Sequence, residues 1–310
     1  MDIETQQPGQ PGGADFEPEK ELPSLADICI VIDGLDGSGK GTLAEYLANR
    51  GLEGYNFIVD YPQYGLPWGK VLYSLLHEND QGLSINDRML VYALNRLETA
   101  HQLRWHMEKT RIVPDIKINL IFDRFATSNI ITAAYYYKLV QDKWRTFPLE
   151  NPADEQSSLK DWILPMYDHM MQIDAEFMQI LGVSDAVVFV PMLDERISME
   201  SLLNDQSRSG VDMYETASVQ GLARKLYRIV AEAHPERLHL YDQHNGDKRM
   251  STEEQAMHIL GALGLSEAPA GTANRVNYAF YKELVDRDAV NALLERFGSE
   301  ELKRLNPYAV

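Results

Sequence analysis

A short glycine-rich segment near the N-terminus carries the residues best suited to chemistry. It reads Gly-Leu-Asp-Gly-Ser-Gly-Lys-Gly-Thr and occupies positions 34–42. The apolar run 28–32 precedes it, and a helix-like stretch begins at Thr42. Glycines let such a loop wrap tightly, so that backbone N–H groups and the helix dipole converge on one anion. With Lys40 as a mobile positive charge, the segment is typical of a phosphate-binding loop.

The loop departs from the general pattern at one position. A serine or threonine that can ligate magnesium usually follows the lysine, whereas here Gly41 follows it and Thr42 comes next. The Gly-Lys-Gly-Thr ending resembles the loop of adenylate kinases. It favours a nucleoside monophosphate kinase over a GTPase or a motor. In such a kinase the metal can be held largely through water and the substrate phosphates.

Two further pairs could act with the loop. Asp123 and Arg124 follow an apolar run, where a carboxylate can order magnesium and an arginine can clamp a phosphate. Tyr92 and Arg96 are four residues apart in a predicted helix and share a face, so they could stack on a base and donate to its oxygen. From spacing alone, a packed tyrosine and a solvated arginine are the simpler interpretation of the second pair.

Two other segments have both a functional and a plain structural interpretation. Residues 60–65, Asp-Tyr-Pro-Gln-Tyr-Gly, form either a turn or a wall of a substrate cleft. Residues 194–215 contain Arg196 and Arg208 among small polar residues, which suits a mobile lid that closes over a transferring phosphoryl group or an ordinary flexible loop.

Composition limits the class of protein. The 310 residues, 45% hydrophobic and 25% charged, suit one α/β domain with appendages or two small domains. A net charge of −18 argues against nucleic acid or an anionic membrane as partner, but not against a nucleotide substrate. The single cysteine, Cys29, excludes a disulfide framework and fits a reducing cytoplasm. The histidine spacing predicts no structural zinc, and no apolar run approaches the roughly 20 residues that span a bilayer.

The apolar pattern predicts a parallel sheet with helices on both faces, and ligands at the carboxyl ends of its strands. The predicted strands are residues 28–33, 56–60, 116–122, 186–190 and 238–241. A helix is expected over 84–109, with Ser84 and Asp87 as its capping box, and another over 162–181 after an inserted loop at 144–161. Residues 266–273 are expected to form a linker before two short helices, 276–285 and 289–297.

Taken in order, the motifs resemble those of the thymidylate kinase family over roughly residues 28–264. The matching segments are 34–40, Tyr61-Pro62 with Tyr64, the pair Tyr92 and Arg96, 123–129, and Asp-Met-Tyr-Glu at 212–215. The resemblance implies a three-layer P-loop kinase fold with a five-stranded parallel sheet and a mobile lid. The kinase-like domain would span 26–265, with a lid at about 194–215. An insertion at about 138–161 and a C-terminal helical extension (266–310) have no counterpart in the usual short family members. Residues 1–25, rich in Pro, Gly, Glu and Gln, are expected to be a disordered tail.

The resemblance also implies cofactors, partners and roles. ATP and Mg²⁺ are the expected cofactors, dTMP the acceptor, and a homodimer the expected assembly. The ATP phosphates would contact Gly37, Ser38, Gly39, Lys40, Gly41 and Thr42, and Asp123 would organise Mg²⁺, in part through water. Substrate contacts are implied for Asp36, Tyr61, Tyr64, Tyr92, Arg96, Arg124, Ser128, Asn129 and Tyr214. In particular, Asp36 would accept from the sugar 3′-hydroxyl and Arg124 would bind the monophosphate.

Three departures from the family pattern matter. Some members carry a catalytic arginine in the phosphate loop, where this chain has Gly37, so the lid residue Arg208 is the candidate, with Arg196 second. An arginine that often contacts the acceptor phosphate is missing near Gln63. Thr132 stands where related enzymes have a tyrosine that crowds the sugar 2′ position, which leaves deoxyribose selectivity open.

The first hypothesis is therefore phosphorylation of dTMP to dTDP by ATP. A second keeps the fold but changes the acceptor to another pyrimidine monophosphate or to a deoxynucleoside, for which Asp60 is the carboxylate that could act as base. A third is a nucleotide-binding regulator without turnover.

Overall fold

The computed structural model describes residues 25–77, 83–144, 152–183, 186–204, 214–245, 248–266, 271–276 and 284–309. Its centre is a six-stranded parallel sheet in the order β5-β4-β1-β3-β2-β8. The strands of this sheet are β1 (Ile28–Ile32), β2 (Tyr55–Asp60), β3 (Ile118–Asp123), β4 (Val187–Met192), β5 (Leu238–Asp242) and β8 (Thr272–Arg275). Strands β6 (His244–Asn245) and β7 (Lys248–Arg249) form a separate antiparallel hairpin.

Helices lie between the strands and after them. They are α1 (Lys40–Tyr46), α2 (Pro67–His77), α3 (Ile85–Thr110), α4 (Asn129–Trp144), α5 (Pro152–Ile173), α6 (Ala175–Leu181), α7 (Glu195–Asn204), α8 (Ala217–Ala233), α9 (Thr252–Ala262), α10 (Arg287–Phe297) and α11 (Glu300–Arg304). A π-helical turn (Leu47–Gly51) extends α1, and a 3-10 turn (Ala126–Ser128) precedes α4. None of these helices is both long and apolar enough to cross a bilayer.

All five predicted strands are confirmed, but the prediction of five strands for the sheet is wrong. The sixth strand, β8, pairs with β2 at the edge of the sheet, and its first two residues belong to the expected linker 266–273. Its sequence, Thr-Ala-Asn-Arg, is half-exposed and has no apolar run, because an edge strand need not be buried on both faces.

The predicted helices 84–109 and 289–297 are confirmed, and the one at 162–181 is divided into α5 and α6 at Asp174. Most of the predicted helix 276–285 lies outside the described residues. Ser84 caps α3 with the expected capping box, in which Asp87 is the reciprocal partner. The predicted loop at 144–161 is wrong for residues 152–161, since α5 begins at Pro152. Proline is well tolerated in the first turn of a helix, so its presence did not signal a loop there. Residues 1–24 of the predicted tail and 145–151 of the insertion lie outside the described residues.

The sheet separates two apolar cores. One lies between the sheet and α2, α3, α4, α5, α8 and α10, and the smaller one lies under α1 and α9. The C-terminal helix α10 packs on α3. Because all six strands are parallel, the residues that follow β1, β2 and β3 meet at one edge, where Ile32, Asp123 and Asp60 are in register.

Candidate active site

The glycine-rich segment forms a tight loop between β1 and α1. Gly37 and Gly39 have φ angles of 74° and 86°, in the left-handed region where a Cβ is unfavourable. Gly39 is the N-cap of α1, and among the described residues no side chain caps this end of the helix. The hydroxyl oxygen of Ser38 is buried without a hydrogen-bond partner among these residues. The loop therefore offers unsatisfied donors to an anion, as expected of a phosphate site.

Lys40 lies buried beneath this loop. Its Nζ donates to the carbonyl oxygens of Leu35 (2.7 Å) and Gly34 (3.2 Å) and is 3.9 Å from Asp36 Oδ1. Burial, followed by the positive charge of Arg124, lowers the pKa of Lys40 to about 8. A bound phosphate would add negative charge beside this ammonium group and favour its charged form.

A buried carboxylate beneath the loop fixes its position, and the sequence interpretation missed it. Asp33 accepts from the backbone of Gly34 (2.8 Å), from Ser128 Oγ (2.6 Å), from Tyr227 Oη (3.1 Å) and from Thr127 Oγ1. It ties the phosphate loop to the start of α4 and to α8. The available signal was an aspartate directly after a buried strand.

Asp36 and Arg124 face each other across the mouth of the site. Arg124 Nη2 donates to Asp36 Oδ1, and Gln220 Nε2 donates to Asp36 Oδ2 at 3.2 Å. Ser198, on α7, donates to the backbone oxygen of Asp36. Part of the segment expected to form the lid therefore touches the phosphate loop.

The backbone of Arg124 is strained. Its φ angle is 72°, a value uncommon outside glycine, and its N–H donates to the oxygen of Ile32 at 3.1 Å. Burial acts to lower the pKa of Arg124, but the charges of Asp36 and Asp123 raise it well above its ordinary value. Arg124 is thus a permanent cation, and the backbone at the end of β3 sets the orientation of its side chain.

The carboxylates at the strand ends fit a magnesium ion held partly by substrate. Burial raises the pKa of Asp123, while Lys40 and Arg124 oppose the shift. A Cβ on Gly41 would lie 3.0 Å from Asp123 Oδ2, so the glycine leaves this oxygen accessible. No group of three or more potential metal ligands occurs among the described residues. One carboxylate plus substrate phosphates and waters is a donor set typical of Mg²⁺.

A cavity of about 250 Å³ adjoins the loop. It is lined by Asp36, Tyr61, Pro62, Tyr64, Leu76, Tyr92, Arg96, Arg124, Phe125, Ser128, Ile131, Thr132, Tyr214 and Glu215. Eight of the nine expected substrate residues therefore lie together. The ninth, Asn129, is buried but is not part of this lining.

Arg96 is buried rather than solvated, and its orientation is fixed. Its Nε and Nη2 donate to the two oxygens of Asp174 at 2.7 and 2.6 Å, and its guanidinium lies 5.3 Å from the centre of the Phe125 ring. Asp174 lies 78 residues away in the chain, so no local signal indicated this pair.

The arginines outside the loop occupy different places. Arg196 lies at the start of α7 with an exposed side chain that contacts Asp194. Arg208, the first candidate for the catalytic arginine, lies in residues 205–213, outside the described residues, as does Asp212 of the predicted lid. Arg249 was missed: its Nη2 donates to the carbonyl oxygen of Ser38 at 3.1 Å from the β6–β7 hairpin.

Comparisons with known proteins match part of this chain to one family. Residues 32–153 match the family model described as "Thymidylate kinase". A thymidylate kinase from Halothermothrix orenii is 30% identical over 113 residues, which cover 36% of this chain and 51% of that protein. The chain therefore spans about half the length of the curated relative that it matches.

The solved structures that this chain matches include two thymidylate kinases and a deoxyadenosine kinase. The Candida albicans thymidylate kinase gives a TM-score of 0.48 at 17% identity, with 76% of this chain and 91% of that chain covered. The Ehrlichia chaffeensis thymidylate kinase gives 0.44 at 17% identity, with 76% and 98% covered. A deoxyadenosine kinase from M. mycoides gives 0.40 at 13% identity, with 76% and 99% covered. The part of the chain that carries the phosphate loop, Tyr92, Arg96 and Arg124 matches the thymidylate kinase family of P-loop kinases, as its motifs indicated.

Proposed function

We propose that the protein transfers the γ-phosphoryl group of ATP to the 5′-phosphate of dTMP. The observation that carries the proposal is the cavity beside the phosphate loop. Asp36 and Arg124 line it next to the loop, and Tyr92 and Arg96 also contribute to its walls. A monophosphate held by Arg124 would thus face the γ-phosphate held by the loop, which is the alignment that phosphoryl transfer requires.

Such a reaction needs no strong general base. A phosphate monoester has a second pKa of about 6, so the acceptor oxygen is already ionised near neutral pH. Lys40 and Arg124 would screen the repulsion between donor and acceptor. Magnesium, held at Asp123, would supply further charge neutralisation when bound.

A hydroxyl acceptor is less well served by this site. A deoxynucleoside kinase needs a base near the hydroxyl, and Asp60 was the candidate. In the structure Asp60 Oδ2 accepts from Arg275, which also donates to Glu45 at 2.9 Å. One oxygen of the Asp60 carboxylate is therefore already engaged by another side chain.

Recognition of the base would rest on Tyr92 and Arg96. Asp174 holds the Arg96 guanidinium in one orientation, so donation to a base oxygen would require little reorganisation. Thr132 lines the cavity where a larger side chain would narrow it. UMP is therefore expected to be accepted more readily than by an enzyme with a tyrosine at this position.

An acceptor panel tests the proposal. With ATP and Mg²⁺, dTMP should give the highest kcat/KM among dTMP, dUMP, UMP, dCMP and thymidine. Phosphorylation of thymidine without turnover of any monophosphate would contradict it. ATP binding without transfer to any acceptor would instead identify a regulator.

Variants of the two fixed cations test the residue roles. Lys40→Ala and Arg124→Ala should each lower kcat by about 100-fold or more, because each removes a charge that stabilises the transition state. Lys117→Ala is the matched control, since its exposed pair with Glu53 lies away from the cavity. Near-normal turnover in both folded site variants would contradict the assigned roles.

A further inference from the structure

The C-terminal residues reach the helix that carries Tyr92 and Arg96. The backbone N–H of Ser299 donates to Asp87 Oδ1 at 2.9 Å, close to the N-terminus of α3. Tyr308 is buried, and its hydroxyl donates to Glu98 Oε2 at 2.7 Å. The Arg287 guanidinium lies 5.7 Å from the centre of the Tyr308 ring. The C-terminal residues are therefore anchored to α3 at two buried carboxyl groups, Asp87 and Glu98.

Glu98 also satisfies the N-terminus of α2. It accepts from the backbone N–H of Trp68 at 3.2 Å and from that of Gly69, both in the first turn of α2. Asn95 Nδ2 donates to its other oxygen at 2.8 Å. Four donors thus converge on one buried carboxyl group and favour its charged form, but burial outweighs them and raises the pKa of Glu98 to about 7. Loss of one donor leaves part of a buried charge unsatisfied.

The same face of α3 holds the wall of the cavity. Asn95 accepts from the backbone N–H of Gln63 at 2.7 Å and donates to the Gln63 oxygen at 3.2 Å. One turn further, Thr99 Oγ1 lies 2.6 Å from the Tyr61 hydroxyl. Asn95, Glu98 and Thr99 are spaced i, i+3, i+4, so one helical face fixes the whole segment 61–69.

This segment is packed too closely to adjust independently. A Cβ on Gly69 would overlap the carbonyl oxygen of Gln63, so the start of α2 touches the turn that follows Pro62. Tyr61, Pro62 and Tyr64 of the segment line the cavity. Asn95, Glu98 and Tyr308 do not line it, so their influence on a bound acceptor passes through this wall.

We propose that Glu98 and Tyr308 are positioning residues for the acceptor: through Asn95 and the first turn of α2, they fix the wall formed by Tyr61, Pro62 and Tyr64. The C-terminal extension is then part of the acceptor site, although it lies outside the segment that matches the family model. This inference rests on the proposed function in so far as the acceptor occupies the cavity.

Kinetic measurements on the full chain test the proposal. Tyr308→Phe removes only the hydroxyl, and Glu98→Gln removes the charge. Each should raise the KM for dTMP by about three- to tenfold, the range expected for one buried hydrogen bond, with kcat and the KM for ATP within twofold. Glu300→Gln is the control, because it removes an exposed contact to Lys303 within the same extension (3.1 Å). The proposal would be overturned if the KM for dTMP and the KM for ATP changed equally. It would also be overturned if the KM for dTMP changed in neither variant.

Hydrogen exchange provides a readout that does not depend on the acceptor. Amide exchange in residues 63–69 should be faster in Tyr308→Phe than in the wild type and unchanged in Glu300→Gln. If exchange increases but no monophosphate is phosphorylated, the proposed function fails while the positioning role stands. Unchanged exchange in a folded Tyr308→Phe variant would overturn the positioning role even if dTMP is the substrate. Should Glu98→Gln fail to fold, the tyrosine variant alone decides.

Discussion

At the scale of single residues, the site consists of cations held in place by carboxylate and carbonyl oxygens. Arg96 is fixed by Asp174, Arg124 by Asp36, and Lys40 by carbonyl oxygens of its own loop. Pairs of this kind need not stabilise the fold, since desolvation offsets much of their attraction. Their effect is to orient the donors before the substrate arrives, which lowers the reorganisation that binding and transfer require.

The lowered pKa of Lys40 predicts proton uptake when ATP binds. With a pKa of about 8, the amine is only partly protonated at pH 8 in the free protein. A neighbouring triphosphate favours the charged form and raises this pKa, so a fraction of a proton should be taken up. The uptake should be largest at and somewhat above pH 8 and should vanish below about pH 7, where the amine is already protonated. Calorimetric titration in two buffers of different ionisation enthalpy measures it.

Lys40→Arg is the matched control for proton uptake. Arginine keeps the charge but does not titrate in this range, so the difference between buffers should disappear in any variant that still binds ATP. Equal uptake in the wild type and the arginine variant would assign the proton to another group.

At the scale of elements, the sequence predicts what local pattern determines. Strands β1 to β4 are almost entirely buried and β5 is partly buried, and the apolar run of each made it visible in the sequence. β8 is half-exposed, so pairing with β2 rather than hydrophobicity defines it. The same distinction between local pattern and tertiary contact holds in the site. Local pattern indicated Lys40, Asp36 and Arg124, because they follow predicted strands. Asp174, Gln220 and Tyr308, by contrast, reach their partners only through tertiary contacts across 78, 184 and 210 residues.

Gly271 provides a test of the sixth strand. A Cβ at this position would overlap the carbonyl oxygen of Leu52 and the side-chain amide of Asn56. Gly271→Ala should therefore push β8 away from β2 and lower the free energy of unfolding by about 1–3 kcal/mol, as overpacking does. Urea denaturation measures the loss, and faster amide exchange in residues 272–276 would locate it.

A second glycine gives the control for this substitution. Gly261 lies in α9, and a Cβ added to it would point into open space, so Gly261→Ala should be neutral or stabilising by up to about 1 kcal/mol. If both alanine variants have the same stability, β8 does not depend on close approach at Gly271.

At the scale of the whole molecule, the C-terminal extension belongs to the main core. Val290, Leu294 and Leu302 lie in the same apolar cluster as Leu97 and Leu103 of α3. The extension also closes one edge of the sheet through β8. A segment that shares a core with the site helix should unfold together with it rather than as a separate unit.

Leu302→Ala tests whether the molecule unfolds as one unit. Leu302 is fully buried, and truncation of such a leucine costs about 2–5 kcal/mol. The four tryptophans, Trp68, Trp105, Trp144 and Trp162, all lie outside the extension, so their fluorescence reports on the rest of the protein. The variant should shift the tryptophan-monitored urea midpoint to lower concentration. Glu301→Ala, one residue away and exposed, should leave it within about 0.5 kcal/mol. An unchanged midpoint in Leu302→Ala, with loss of helical signal at low urea, would show that the extension unfolds on its own and does not stabilise α3.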